Sequence, residues 1–339
     1  MFSFSYSFDR DPSSGFKDGV LTPIPQYPLY SALSTLLQAK LVPYYLDESN
    51  GWNCTPKMLS QALKNAKNEG ITPRALVVIN PGNPTGQILP AKAMKGIVEW
   101  CAEENICLMA DEVYQENIWK SRAKFTSFRK VAYEMNAITK DSSSLQLISF
   151  HSISKGFLGE CGLRGGYFEL LGFPADVKAE IYKLASISLC SNTIGQIATG
   201  IMVQPPKKGD QSYKTYSKEK KTILESLNRR AQKLGSALNS IAGVSCNTID
   251  GAMYAFPSIK MPLNAIEAAI KNKMEPDALY CLELLEATGI VVVPGSGFGQ
   301  AQGTYHFRTT ILPSEDKIDQ VIEKITEFHK KFVAKYGGV

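Results

Sequence analysis

The 339-residue chain lacks several features, and each absence excludes a class of protein. It has no large charge of one sign: 37 basic against 32 acidic residues leave +5, and no Lys/Arg block is interleaved with aromatics, which argues against a nucleic-acid partner. No apolar run approaches the ~20 residues of a membrane-spanning helix. His151, His306 and His329 lie far apart and leave little material for a metal site. The seven cysteines (Cys54, Cys101, Cys107, Cys161, Cys190, Cys246, Cys281) are odd in number, dispersed and without a C-x-x-C pair, which argues for free thiols in a reducing compartment. Met1 to Gly15 is rich in Phe and Ser, but Arg10 sits between two aspartates, so it makes a poor transit peptide. Its apolar residues alternate with serine, which does not suit a secretion signal either. What remains is the balance of a soluble enzyme, 44% hydrophobic and 20% charged, long enough for more than one domain.

Along the chain, strand and helix patterns alternate. A strand is predicted at Lys40 to Leu46, a polar helix at about Pro56 to Asn68, and a buried strand from Ala75 to Asn80 that runs into Asn80-Pro81-Gly82-Asn83-Pro84-Thr85-Gly86. A helix from about Ala91 to Glu104 leads to a strand, Ile106 to Ala110, that delivers Asp111-Glu112-Val113-Tyr114. Lys120 to Ser144 reads as a polar surface excursion, Leu145 to Phe150 as a central strand, Gly166 to Leu170 as another, and Pro174 to about Met202 as one or two helices. This order predicts an α/β fold with a mostly parallel sheet and its reactive groups on the loops. Gln204-Pro205-Pro206-Lys207-Lys208-Gly209-Asp210 breaks it, and the rest reads as a smaller α+β segment. The expected division is 17–205 and 206–339, with 1–16 unassigned.

The chemistry concentrates around Ser152-Ile153-Ser154-Lys155-Gly156. A lysine becomes a useful amine when a neighbouring cation or an apolar wall strips its proton, and it can then condense with an aldehyde. Taken alone, these five residues leave a surface lysine and a catalytic one equally open. The continuation Gly162-Leu163-Arg164-Gly165-Gly166-Tyr167 favours function, because a structural loop has no need of an arginine boxed by glycines, and two hydroxyls, a lysine and an arginine suit an anion. Elsewhere the alternatives stay open. Spacing alone puts Tyr27 and Tyr30 in core packing; Asp111 can cap a helix or do chemistry; Arg308 can be an exposed strand charge or a bidentate grip on a carboxylate. Pro294-Gly295-Ser296-Gly297-Phe298-Gly299 imitates a dinucleotide fingerprint, but Gln300-Ala301-Gln302-Gly303 cannot open a good helix, so it reads as a turn near the substrate mouth.

From about Lys17 to near the C-terminus these motifs resemble the fold-type I, pyridoxal-phosphate-dependent aminotransferases, in wording nearest to the alanine-type members. The resemblance implies a large cofactor-binding domain and a smaller C-terminal one. It implies Lys155 as the residue that holds the cofactor and moves the substrate's α-proton, and Asp111 against the ring nitrogen. It implies Tyr27 stacked on the ring, Asn83 and Tyr114 on the phenolic oxygen, Ser152, Ser154 and Arg164 on the phosphate, and Arg308 on the substrate α-carboxylate. Glu112 is left as structural and His306 unassigned. The implied reaction exchanges alanine and 2-oxoglutarate for pyruvate and glutamate by ping-pong kinetics, in a homodimer, with no nucleic-acid or membrane partner. The implied place is the cytoplasm, or the mitochondrion if a presequence is missing. Members of the family carry further sequence before the segment matching Lys17, so a truncated product or incomplete gene of impaired activity is expected, with an exposed sheet edge and apolar surface. Two rivals stand beside this reading: a catalytically inactive transaminase-like binding protein, and a lyase of the same fold and cofactor.

Overall fold

In a computed structural model of the chain, residues 17–121, 124–139 and 143–338 are described, and the unassigned segment 1–16 lies outside them. The strand Ile71–Ile79 (β3) shows how the sequence builds the sheet. From Ala75 onward every residue is buried, and alternate side chains enter different cores. Leu76 and Val78 meet one cluster, while Ala75, Val77 and Ile79 meet another. That is the signature of a parallel strand covered on both faces. Its neighbours are Lys17–Ile24 (β1) and Cys107–Asp111 (β4); Lys40–Tyr45 (β2) lies beyond β1, and Leu147–Ser152 (β5) and Gly166–Leu171 (β6) lie beyond β4. The order is β2-β1-β3-β4-β5-β6, parallel throughout except that β6 runs against β5.

Helices cover the two faces. Pro56–Asn68, opened by proline at its first turn, buries Leu59, Ala62, Leu63 and Ala66, the i, i+3, i+4, i+7 stripe of an amphipathic helix. Ala91–Glu103 lies in the same core. The excursion from Lys120 to Ser144 is not wholly a surface feature: Phe128–Glu134 is a helix that buries Phe128, Val131 and Ala132 and is capped by Ser127, whose hydroxyl accepts the Lys130 N–H. Leu29–Leu36 (α1) opens at Pro28 and buries Tyr30.

On the far side of the sheet, Ala175–Ser186 and Thr193–Val203 follow β6. The second of these helices turns Ile194, Ile197 and Ile201 outward, each at least 60% exposed, and Tyr167 and Phe168 are exposed on β6, the outer strand of the sheet. A separate cluster gathers around the long helix Tyr213–Asn239 and the helices Pro276–Thr288 and Ile318–Lys335. Two short sheets complete this part, Val293–Pro294 (β10) with Phe307–Thr310 (β11) and Tyr254–Ala255 (β8), and Val244–Ser245 (β7) with Ser258–Ile259 (β9). The glycine run predicted as a turn, Gly295–Phe298, is a single 3-10 turn and opens no longer helix.

Candidate active site

β3, β4 and β5 all release the chain at the same end of the sheet, where open α/β folds bind their ligands. A cavity of about 510 Å³ lies there. Tyr27, Asn83, Asp111, Tyr114, Ser152, Ser154, Lys155 and Arg164 all line it. Residues more than a hundred positions apart therefore meet because parallel strands end together. Arg308, the ninth expected residue, is joined to them through Asn83: its Nη1 donates to the Asn83 Oδ1 at 3.1 Å.

Asp111 is the last residue of β4 rather than a cap beyond it. Its Oδ2 accepts the Tyr30 hydroxyl at 2.7 Å, whereas its buried Oδ1 has no hydrogen-bond partner among the described residues. Burial pushes the Asp111 carboxyl above the usual range, opposed by the Tyr30 hydrogen bond, the Val113 N–H and the Lys155 charge. A lone buried carboxylate oxygen calls for a donor, and the protonated nitrogen of a pyridine ring is one that fits. Tyr30 escaped the sequence reading. The core packing that spacing predicts holds for Tyr30, which is buried on α1, and not for Tyr27, which precedes the helix and is 42% exposed; the Asp111 partner of Tyr30 lies 81 residues away.

Lys155 follows β5, and its Nζ stands 5.9 Å from the centroid of the Tyr114 ring. The Tyr114 hydroxyl is 3.0 Å from that of Tyr254, a cross-chain pair that sequence spacing could not reveal. Tyr254 also lies under the Arg308 guanidinium, 4.4 Å from ring to charge, and Phe298 flanks it at 4.8 Å. The Arg308 Nε is buried without a partner among the described residues, which leaves one tine of its fork for an acceptor. His151 also lines the cavity, with its Nε2 3.2 Å from the Gln115 amide and its Nδ1 without a hydrogen-bond partner among the described residues. Burial lowers its affinity for a second proton.

The loop between β5 and β6 holds itself in shape. Ser152 Oγ donates to the Gly165 carbonyl at 3.2 Å and accepts the Ser154 N–H at 3.1 Å, while the Arg164 Nη1 donates to the Cys161 carbonyl at 2.9 Å. Its glycines do less for a ligand than their number suggests. A Cβ on Gly165 would lie 2.5 Å from the Gly195 carbonyl oxygen, and one on Gly166 2.7 Å from that of His151, so both admit neighbouring backbone. Asn192 clamps the loop by donating to the carbonyls of Leu163 and Arg164.

Glu112 points away from the cavity. Its Oε1 accepts the Phe128 N–H at 2.8 Å, and burial pushes its carboxyl up to about 8. A carboxyl raised from 4.5 to about 8 contributes stability that is whole below pH 4.5 and is lost as pH climbs to about 8. Glu112→Gln keeps the acceptor and cannot ionise. Urea unfolding is expected to show the variant level with the parent at pH 4.5 and more stable by on the order of a few kcal/mol at pH 8.5. Equal gains at both pH values would refute the assignment.

The chain matches aminotransferase class I and II over residues 15–325. It is 55% identical over 323 residues to "Alanine aminotransferase 2, mitochondrial" of Arabidopsis thaliana, covering 95% of this chain and 59% of that protein. It is 51% identical to "Glutamate–glyoxylate aminotransferase 2" of the same plant, covering 95% of this chain and 67% of the relative. Among solved structures it superposes on the alanine aminotransferase from Pyrococcus furiosus with a TM-score of 0.75 at 25% identity, over 97% of this chain and 73% of that one. The chain thus spans about three fifths of the length of the first of these relatives.

Proposed function

The chain belongs to the class I and II aminotransferases, and from that membership we propose that it transfers an amino group between alanine and 2-oxoglutarate with pyridoxal phosphate as cofactor. The observation that carries the reading is the convergence of Lys155 and Asp111 on one cavity, with an Asp111 oxygen left without a donor. When bound, the cofactor supplies an aldehyde that condenses with amines and a ring that draws electron density from the substrate α-carbon.

The rest falls to the chain's own residues. Asp111 would hold the ring nitrogen protonated, and Tyr30 holds Asp111. Tyr27 would stack on the ring, Asn83 and Tyr114 would take the phenolic oxygen, and Ser152, Ser154 and Arg164 would take the phosphate. Lys155 would anchor the cofactor through its amine and would serve as the base that takes and returns the substrate α-proton. Arg308 offers Nε and its outer nitrogens to the α-carboxylate, a planar match of two hydrogen bonds.

This reading includes the division into 17–205 and 206–339: one core cluster lies wholly within the first segment, while the other draws mainly on the second and takes in Tyr114 and Trp119 from the first. It also places the protein in a reducing compartment, cytosol or mitochondrion, in keeping with its seven free cysteines and with the mitochondrial designation in the first relative's name. A homodimer belongs to the proposal too. No observation favours the inactive or the lyase reading, since the side chains that the chemistry needs gather at one site.

The test is an assay of the purified chain supplied with pyridoxal phosphate. Pyruvate is expected from alanine with 2-oxoglutarate, and glyoxylate offered as acceptor separates the alanine-type from the glyoxylate-type relative. Neither pyruvate nor a borohydride-fixed adduct on Lys155 would end the proposal.

A further inference from the structure

We propose that His306 carries a proton on both ring nitrogens and, as an imidazolium clamped between Glu48 and Gln300, sets the position of Arg308. Its Nδ1 lies 2.9 Å from the Gln300 Oε1, and its Nε2 lies 3.1 and 3.2 Å from the two Glu48 carboxylate oxygens. The Gln300 amide has its orientation fixed from outside: its Nε2 donates to the Asp277 Oδ2 at 2.8 Å, so its oxygen must face the histidine. Asp277 is fully buried, and the same Oδ2 accepts the Ser296 N–H. Both ring nitrogens of His306 therefore meet acceptors. A neutral imidazole has one donor and one acceptor, and a bare nitrogen here would set two lone pairs against each other in a site where His306 is only 1% exposed.

The ring's surroundings favour the charge. It stacks on Phe256 at 4.8 Å with the planes 2° apart, and meets Trp52 edge-on at 5.7 Å. His329 provides the contrast: its Nε2 faces the Ala242 carbonyl while its Nδ1 faces the Tyr280 hydroxyl, which can donate, so one ring proton suffices.

Glu48 lies in the 3-10 turn Glu48–Asn50 after β2, and the Asn247 amide also ties down its carbonyl. The imidazolium thus fastens the sheet segment to the approach to β11, two residues before Arg308 and on the same face of the chain. From it runs a continuous floor: Phe256 meets Phe298 edge-on at 5.9 Å, and Phe298 lies beneath the Arg308 guanidinium. Loosening the clamp tilts that floor, so His306 is a positioning residue. Its consequence for substrate rests on reading Arg308 as the carboxylate anchor; its protonation does not.

With three histidines in the chain, nitrogen-15 histidine labelling reads each ring, and His151→Gln and His329→Gln assign the signals. At pH 7.5 both His306 nitrogens are expected to be protonated and His329 to show one bare nitrogen; a bare nitrogen on His306 overturns the charge. Glu48→Gln supplies an amide that can donate, so His306 is expected to lose one proton. Binding of 2-methylalanine, an amino acid without an α-proton, to the pyridoxal-phosphate-loaded protein is expected to weaken about tenfold, with cofactor affinity unchanged. Binding within twofold of the parent overturns the positioning role. If the parent itself fails to bind 2-methylalanine, the function reading and the positioning role fall together, while the spectrum still decides the ring.

Discussion

Lys155→Ala is expected to abolish amino transfer, lowering kcat by at least about 10⁴-fold, because proton transfer by a positioned base alone is worth 10²–10⁴ and the covalent anchor goes with it. The fold is expected to survive. Lys155 is half-buried at the cavity wall, and among the described residues it makes no ion pair within 4 Å. Its thermal midpoint should stay within a degree or two of the parent's, since surface changes away from core features are worth about 0.5 kcal/mol or less. Mass spectrometry after borohydride treatment in the presence of pyridoxal phosphate should find the parent labelled at position 155 and the variant unlabelled. A variant that keeps more than a hundredth of the parent's turnover, or a label on another lysine, would remove Lys155 from the chemistry.

Asp111→Asn is expected to move activity and stability in opposite directions. The amide keeps the shape and can still accept the Tyr30 hydroxyl, but it brings no negative charge to the ring nitrogen, and a loss on the order of 10³-fold in kcat is expected, as for removal of one preorganised electrostatic contact. Stability goes the other way. The Asp111 carboxyl is raised by burial, so its contribution is whole at low pH and lost as pH rises through its folded value; the amide escapes that loss. The cofactor-free variant should therefore unfold at higher urea than its parent at pH 7.5. Tyr30→Phe is the control: it takes away the hydroxyl that donates to Asp111 and leaves the charge, so the cofactor-free protein should lose stability where Asp111→Asn gains it. A less stable Asp111→Asn would show that Asp111 is a structural acid.

The parts of the site that could be read from the sequence were those in which residue type and strand end coincide. Asn83 and Asp111 follow runs of buried aliphatics and Lys155 follows β5, which opens on buried Leu147 and Ile148; parallel strands deliver their ends to one edge whatever the distance along the chain. Tyr30, Tyr254 and the His306 clamp were not legible, because each depends on a partner 81, 140 or 258 residues away, and no local pattern carries such a distance. β1 carries little local signal: Gly19, Thr22 and Pro23 dilute its apolar pattern, and its burial comes from lying between β2 and β3. The helix Phe128–Glu134 did leave a local signal, a serine cap and apolar residues at i, i+3 and i+4, but its polar flanks obscured it. The glycines after Lys155 were credited to a ligand, whereas Gly165 and Gly166 serve contacts within the chain itself.

The outward isoleucines 194, 197 and 201, beside the exposed aromatics of β6, bear on how the protein behaves as a solute. An apolar stripe next to the outer strand of a sheet lowers the barrier to clumping. Salts such as sulfate strengthen that tendency, whereas mild chaotropes weaken it. Yield in solution will therefore follow the choice of salt and protein concentration more closely than it follows the chemistry of the cavity.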